Sequence, residues 1–375
     1  MTRYLGRFGS GRWSIGDHSR LETSRERKKQ FEGDSFSFFA FPSTVLAAAP
    51  SYSPHCAAFM KKITLIICLI LLCISSCPVS AWNNAGHMTV ASIAYDRLTP
   101  KARSRVDAIL KLHPAYPEWT AGRRAKSIYA FLWAARWPDD IKRPGSGFTY
   151  DAPPGTSPIP AYPDMNQHFS WHFINQPLPE PGVPVPPGFP IEKDGNIIKK
   201  INEMTQYLRT ASPDDPKQAY YLAWLMHLVG DIHQPLHTAA RISKTNPKGD
   251  KGGNEFFIEP LKNSGFKRYK DEQPNLHSYW DSIVSRQDRV PQVRALGRRL
   301  PKAKPSKIKQ INPEVWAQEG FQLASEFVYS IGSDETPGVH PITPKYHARA
   351  RQIGRNQVAL AGYRLAQLLN ELYSE

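Results

Sequence analysis

The chain has 375 residues, with 48 Lys and Arg against 33 Asp and Glu and a formal charge of +15. At 41% hydrophobic and 22% charged residues, its composition is that of a globular protein, which excludes wholesale disorder and a polytopic membrane protein. No repeat period excludes collagen and solenoid architectures, and 34 Pro predict long irregular segments.

All four Cys (Cys56, Cys68, Cys73 and Cys77) precede residue 78, so the rest of the chain holds neither a disulfide nor a Cys-ligated metal. Met60-Lys61-Lys62 opens onto an apolar run from Ile63 to Ile74 broken only by Thr64, and Pro78-Val79-Ser80-Ala81 follows. A charged start, a short apolar stretch and a small-x-small ending predict a secretory signal peptide over 60–81, cleaved after Ala81. The run is shorter than the ~20 residues of a membrane-spanning helix. An uncleaved anchor and lipoprotein-type processing at Cys77 are the alternatives. Residues 1–59 are basic and lack helical or strand periodicity; they read as a non-native or disordered extension ahead of a true start at Met60. An exported protein is therefore expected, periplasmic or secreted, with no stable membrane association after cleavage.

Residues 1–81 hold 10 Lys/Arg and 5 Asp/Glu, which leaves 38 against 28, or +10, for the other 294. That balance suits an anionic partner such as nucleic acid or a lipid head group, although a solvated basic surface is also common.

In chain order, residues 89–98 and 101–112 read as helices, with Thr99-Pro100 as a cap and first-turn pair. Residues 125–136 form another, ending before Pro138. The stretch 144–190 is dense in Pro and Gly and reads as loop, with a short ordered island at 168–175. Residues 197–210 and 217–232 are strongly helical, and Pro235 stops the second. A Lys/Gly-rich loop spans 241–254, and Phe256 and Ile258 suit a short strand. Helices at 277–285, 313–330 and 347–373 complete a mainly α domain over 82–375, without βαβ rhythm.

The segment His227-Leu228-Val229-Gly230-Asp231-Ile232-His233-Gln234-Pro235-Leu236-His237 carries the strongest chemical signal. On a helix, His227 and Asp231 share a face, where an imidazole nitrogen and a carboxylate oxygen can bind one divalent metal. His277 and Asp281 repeat the spacing. The plain alternative is a pair of buried N–O hydrogen bonds, but two pairs plus His237 favour a metal site. Helix phase turns His233 away from His227, toward a role in packing or in supporting the ligands from behind. His87, Asp139 in Trp137-Pro138-Asp139-Asp140-Ile141-Lys142, and His172 in Trp171-His172-Phe173-Ile174-Asn175 each read alone as a structural polar residue.

Together, in this order, these elements resemble the S1/P1 nuclease family, secreted enzymes that use three zinc ions to cleave single-stranded nucleic acid. The resemblance runs from Trp82 to about Asn370 and includes Leu360-Ala361-Gly362-Tyr363-Arg364-Leu365-Ala366. It implies an all-α, phospholipase C/P1 nuclease-like helical domain with long Pro-rich loops. It also implies three Zn2+ ions. Trp82 (through its free α-amine and carbonyl), His87 and Asp231 would hold the first. Asp139, His172 and His227 would hold the second, bridged by Asp231, and His237, His277 and Asp281 the third. Such donors are all N and O, in keeping with a body lacking Cys. The implied activity is cleavage of single-stranded DNA and RNA to 5′-nucleotides by zinc-bound hydroxide, with 3′-nucleotidase activity and no obligate protein partner.

In the same resemblance, Lys142 steadies phosphoryl charge, Asn254 of Gly252-Gly253-Asn254 contacts phosphate, and Phe173 stacks on a base. A solvated charge, a plain turn and a core Phe are the bland readings of these three. Asn175 stands where the fungal and plant enzymes carry Asp, which puts base preference and rate in question. The extended basic loop with Arg241, Lys244, Lys248 and Lys251 bears on substrate preference. Absent Asn-x-Ser/Thr sequons and disulfides point to a bacterial-type member. A zinc-dependent phospholipase C, whose last ligand pair ends in Glu rather than Asp281, and a non-catalytic periplasmic zinc-binding protein are the rival readings.

Overall fold

Side-chain caps set where half of the described helices of this chain begin. In the computed structural model, which describes residues 82–189, 196–264, 266, 273–332 and 339–374, Asn83, Thr99, Asn196, Asn275, Asn312 and Thr343 each accept a backbone N–H three residues on, opening six helices. The expected signal peptide, the cleavage point after Ala81, Cys77 and the 1–59 extension lie outside the described residues.

The helices are α1 (Asn84–Tyr95), α2 (Pro100–Leu110), α3 (Tyr116–Thr120), α4 (Lys126–Ala134), α5 (Trp137–Asp140), α6 (Ile197–Thr210), α7 (Lys217–Asp231), α8 (Leu276–Ser282), α9 (Val290–Arg299), α10 (Pro305–Ile308), α11 (Pro313–Leu323) and α12 (Pro344–Leu372). A π-helical turn, Ala324–Val328, continues α11. The fold is all-α, as the sequence predicts. No helix of the described residues is long and apolar enough to cross a membrane.

Burial explains the layering. In α1 every residue from Ala85 to Tyr95 is buried, and α7 is buried on all sides except near Tyr221 and its first residue. Helices apolar all round belong in a core. Around them pack one-sided helices: α6 buries only Ile197, Ile201, Met204 and Leu208 and lies on α7, while α9 and α12 lie on α1. The polar groups of α1 and α7 therefore face other protein rather than water.

The structure departs from the sequence expectation at several elements. Helix α1 begins at Asn84, five residues earlier than expected, because Asn83 caps it. Helix α9 was not anticipated; Pro291, Gly297 and its charges mask a short apolar stripe of Val290 and Val293. The short helices α3, α5 and α10 were also missed. Within the Pro-rich loop, β1 (Gln176–Pro179) pairs in parallel with β2 (Ala239–Ile242); β3 (Ile258–Glu259) pairs in parallel with β4 (His340–Pro341). Pro177 and Pro179 are tolerated because β1 is an edge strand.

Candidate metal centre

Four elements bring five of the predicted side chains together. His227 and Asp231 lie one turn apart on α7, His87 on α1, Asp139 on α5, and His172 ends a 3-10 turn, Phe169–His172. Asp231 Oδ1 is 3.1 Å from His87 Nε2, and its Oδ2 is 2.8 Å from His172 Nδ1 and 3.2 Å from His227 Nε2. Asp139 Oδ1 is 3.8 Å from His227 Nε2, and its Oδ2 is 3.9 Å from His87 Nε2. His87 and His227 stack with ring centroids 3.8 Å apart.

Gly230 makes that approach available. A Cβ there would stand 2.8 Å from His87 Nδ1, so any side chain would push the imidazole off α7.

His237, His277 and Asp281 form another group. His277 Nε2 is 3.5 Å from Asp281 Oδ2, and the His237 and His277 ring centroids are 4.9 Å apart. In all, three sets each offer ligand atoms within 4.8 Å of one another: His87, His227 and Asp231; Asp139, His172 and His227; His237, His277 and Asp281.

Backbone carbonyls orient three of the imidazoles. His227 Nδ1 donates to Ala135 O (2.8 Å), His237 Nδ1 to His172 O (2.6 Å), and His277 Nδ1 to Gly252 O (2.7 Å). An oxygen that only accepts fixes the proton on Nδ1 and leaves the lone pair on Nε2, the arrangement that outer partners impose on metal-ligating histidines. His227 Nε2 also lies 3.1 Å from His172 Nδ1. Asp231 Oδ1, His237 Nε2 and both His87 nitrogens are buried without a hydrogen bond of good geometry among the described residues. Such orphaned groups cost about 1–3 kcal/mol each. A divalent cation with a preference for N and O ligands fits them.

Charge follows the same pattern. Burial pushes the Asp231 carboxyl up, but His227 and His87 outweigh it and hold it well below the usual range. Asp139 is also raised by burial and then pulled below its ordinary value by Lys142, His227 and His87. Burial, joined by Lys142, lowers His172 to about 3. Burial lowers His87 and His237 as well. His227 is raised, because Asp231 and Asp139 overcome its burial. Asp281 is pushed well up by burial and by the Asp139 and Asp231 charges. A bound cation would reverse that last shift.

The remaining predicted residues surround these groups. Trp82 is fully buried at the head of α1, and the N–H of the next residue, Asn83, donates to Asp281 O (3.1 Å). Lys142 Nζ is 2.8 Å from Asp139 Oδ1 and 5.4 Å from the Phe169 ring centroid. Phe173 and Asn175 line a cavity of about 1060 Å³. Asn254 donates through Nδ2 to Lys251 O, within the turn whose Gly252 carbonyl holds His277. Gly252 has φ +62°, and a Cβ there would meet Leu236 O at 2.4 Å. The glycine turn is thus part of the His277 mount. His233 stands apart from the groups, bonded through Nδ1 to Val229 O and through Nε2 to the buried Arg364. In the basic loop, Arg241 turns inward to Glu180 and Gly332 O, and Lys251 pairs with Glu255; Arg241 is structural.

Sequence reasoning missed Gln234, whose Nε2 donates to Asp281 Oδ1 (2.8 Å) while its Oε1 accepts from Leu236 N (2.7 Å). Its signal was its place between two histidines in His233-Gln234-Pro235-Leu236-His237.

The family model for S1/P1 Nuclease matches residues 82–374. Among similar proteins, Endonuclease 3 of Arabidopsis thaliana is 22% identical over 315 residues, covering 78% of this chain and 89% of its own. Nuclease P1 of Penicillium citrinum is 24% identical over 316 residues, covering 78% and 98%. Nuclease S1 of Aspergillus oryzae is 26% identical over 205 residues, covering 54% and 53%. With a family match that spans all the described residues and an all-α fold that gathers three His/Asp groups, the chain belongs to the S1/P1 nuclease family.

Proposed function

We propose that this protein is a zinc-dependent nuclease, exported and then cleaved ahead of Trp82, that hydrolyses single-stranded DNA and RNA to 5′-nucleotides and removes phosphate from 3′-nucleotides. The observation that carries the reading is the convergence of three His/Asp groups, each with at least one imidazole whose lone pair a backbone carbonyl at Nδ1 leaves on Nε2. In this reading His87, Asp231 and the Trp82 α-amine and carbonyl hold one ion, Asp139, His172, His227 and Asp231 a second, and His237, His277 and Asp281 a third. Ions so held supply a water of near-neutral pKa and Lewis acidity toward phosphoryl oxygens.

The chain's own groups supply the rest. Lys142, held at Asp139, places positive charge beside a phosphoryl group. Phe173 offers a stacking face that accepts any base. Asn175 hydrogen-bonds a base edge or a water but cannot take its proton, so it orients rather than activates. Asn254 presents an amide toward phosphate from the glycine turn that mounts His277.

The test is hydrolysis of single-stranded DNA, RNA, a 3′-nucleotide and phosphatidylcholine by protein beginning at Trp82, with and without chelator, alongside elemental analysis. Chelator-sensitive cleavage of the first three and about three zinc per chain are expected. Cleavage of the lipid alone, or zinc-loaded protein inert on all four, overturns the reading. An α-amine titrates near ~7.7–8.0 and yields its proton to a metal, whereas an amide nitrogen does not. Protein retaining residues before Trp82 is therefore expected to bind about one zinc fewer, as counted by native mass spectrometry.

A further inference from the structure

The cavity lined by the neighbours of His172 in the chain, Trp171 and Phe173, is larger than one nucleoside needs. At about 1060 Å³ it sits at the top of the ~300–1,000 Å³ range of small-ligand sites. Phe173 and Asn175 line one part of it; Tyr150, Phe169 and Trp171 line another.

Tyr150 has no core role to explain it. It is 67% exposed, and its ring lies 5.3 Å from that of Phe169. Phe169 in turn has the Lys142 ammonium 5.4 Å from its centroid, and Lys142 is bonded to Asp139. A line of contacts thus runs from the metal group through a cation to a pair of aromatic rings, one of them open to solvent.

The loop holding these rings is cross-braced. Thr149 N donates to Met165 O and Gln167 N to Thr149 O, both at 2.9 Å, while the Gln167 side chain donates to Ile141 O and Phe148 O. His168, just before Phe169, has φ +47°, a left-handed conformation that costs a β-carbon residue about 1–2 kcal/mol. It is held there by Asn166 Oδ1 on its N–H (2.7 Å), by Asp164 Oδ1 at its Nε2 (2.9 Å) and by stacking on Trp171 at 3.4 Å. Of the three acidic residues lining the cavity, Asp164 is paired with His168 and Glu203 with Lys200, which softens their repulsion of phosphate, while Asp151 is solvent-exposed.

We propose that Tyr150 and Phe169 form a second nucleoside platform, which stacks the base adjacent to the one on Phe173 while the intervening phosphate passes Lys142. The inference rests on the nuclease reading and narrows its substrate class: strands of two or more nucleotides gain a contact that a mononucleotide does not reach. Because stacking accepts any base, the gain is independent of sequence.

The test compares wild type, Tyr150→Ala and Tyr150→Phe, each beginning at Trp82. Binding of a fluorescent, phosphorothioate-linked single-stranded ten-mer is followed by anisotropy, and the KM and kcat for a 3′-mononucleotide are measured alongside. Loss of one stacked base weakens binding roughly 5- to 150-fold, so Tyr150→Ala is expected to lose ten-mer affinity in that range. Tyr150→Phe should restore it, and mononucleotide KM should stay within about twofold. Ten-mer affinity within twofold of wild type in Tyr150→Ala overturns the proposal, as does an equal loss on the mononucleotide. Circular-dichroism melting verifies that the exposed substitution leaves the fold intact. If wild type hydrolyses nothing, the nuclease reading fails, while the ten-mer binding comparison still decides the platform.

Discussion

Asp231 joins two of the three groups, one carboxylate oxygen facing His87 and the other His172 and His227. Asp231→Asn keeps the shape and removes the charge. We expect it to lower bound metal by about two ions per chain in elemental analysis and to cut kcat by more than the 10–100-fold typical of an outer partner. Gln234→Ala leaves Asp281 without its amide donor and is expected, in the reading proposed above, to weaken the ion of the His237–His277–Asp281 group by roughly 10–100-fold in a chelator competition. Outside these groups, His113 is buried against Trp119 and Trp137, and burial lowers it from 6.5 to about 3. The folded state keeps it neutral while the unfolded chain takes up a proton below pH 6.5. Its contribution to stability is therefore whole above pH 6.5 and is lost as pH falls toward 3. At ~1.36 kcal/mol per unit, urea unfolding at pH 5 against pH 7 should show about 2 kcal/mol less stability from this residue, a difference that His113→Asn should shrink. At this scale the ligand set was legible because imidazoles and carboxylates are few and chemically distinct. Gly230 and Gly252 were not, because they act by leaving space, and nothing in one sequence shows which atom would have filled it.

Helix α8 is only seven residues long, yet it carries both His277 and Asp281. It is anchored by the Asn275 cap, whose Oδ1 accepts from Ser278 N (2.8 Å), and by the Gly253 carbonyl on His277 N. Asn275→Ala should cost about 1 kcal/mol in chemical denaturation, with the His237–His277–Asp281 group losing its ion before the others. Both i,i+4 pairs could be read from the sequence because helical spacing alone puts them on one face. The pairing of β1 with β2 could not, since Pro177 and Pro179 argue against a strand and the partner lies 63 residues on. That pairing nonetheless sets the site, because it continues the Ile174 N to His237 O bond (2.8 Å) beside His172.

Across the whole molecule, positive charge is uneven. Residues 289–313 contain eight Lys/Arg and no Asp/Glu, and Arg298, Arg299, Lys302, Lys304 and Lys309 are exposed. Polynucleotide binding should therefore weaken with salt, with a log–log slope of roughly −0.7 per phosphate neutralised on a single strand. Anisotropy between 50 and 200 mM salt measures it, and a flat profile would contradict a charge-guided encounter. The helical class was readable from periodicity because α1, α6, α7 and α12 are long; the order in which they enclose the site was not, being fixed by contacts between distant segments.

The His172 peptide works in two directions. Its ring turns toward Asp231 and His227, while its carbonyl grips the ring of His237. Settling one side of that residue therefore constrains the other. In the reading proposed above, filling the Asp139–His172–His227 group should raise the affinity of the His237–His277–Asp281 group, so a stepwise zinc titration followed by native mass spectrometry is expected to show fewer singly loaded molecules than independent sites give: a preference passed through a single backbone oxygen.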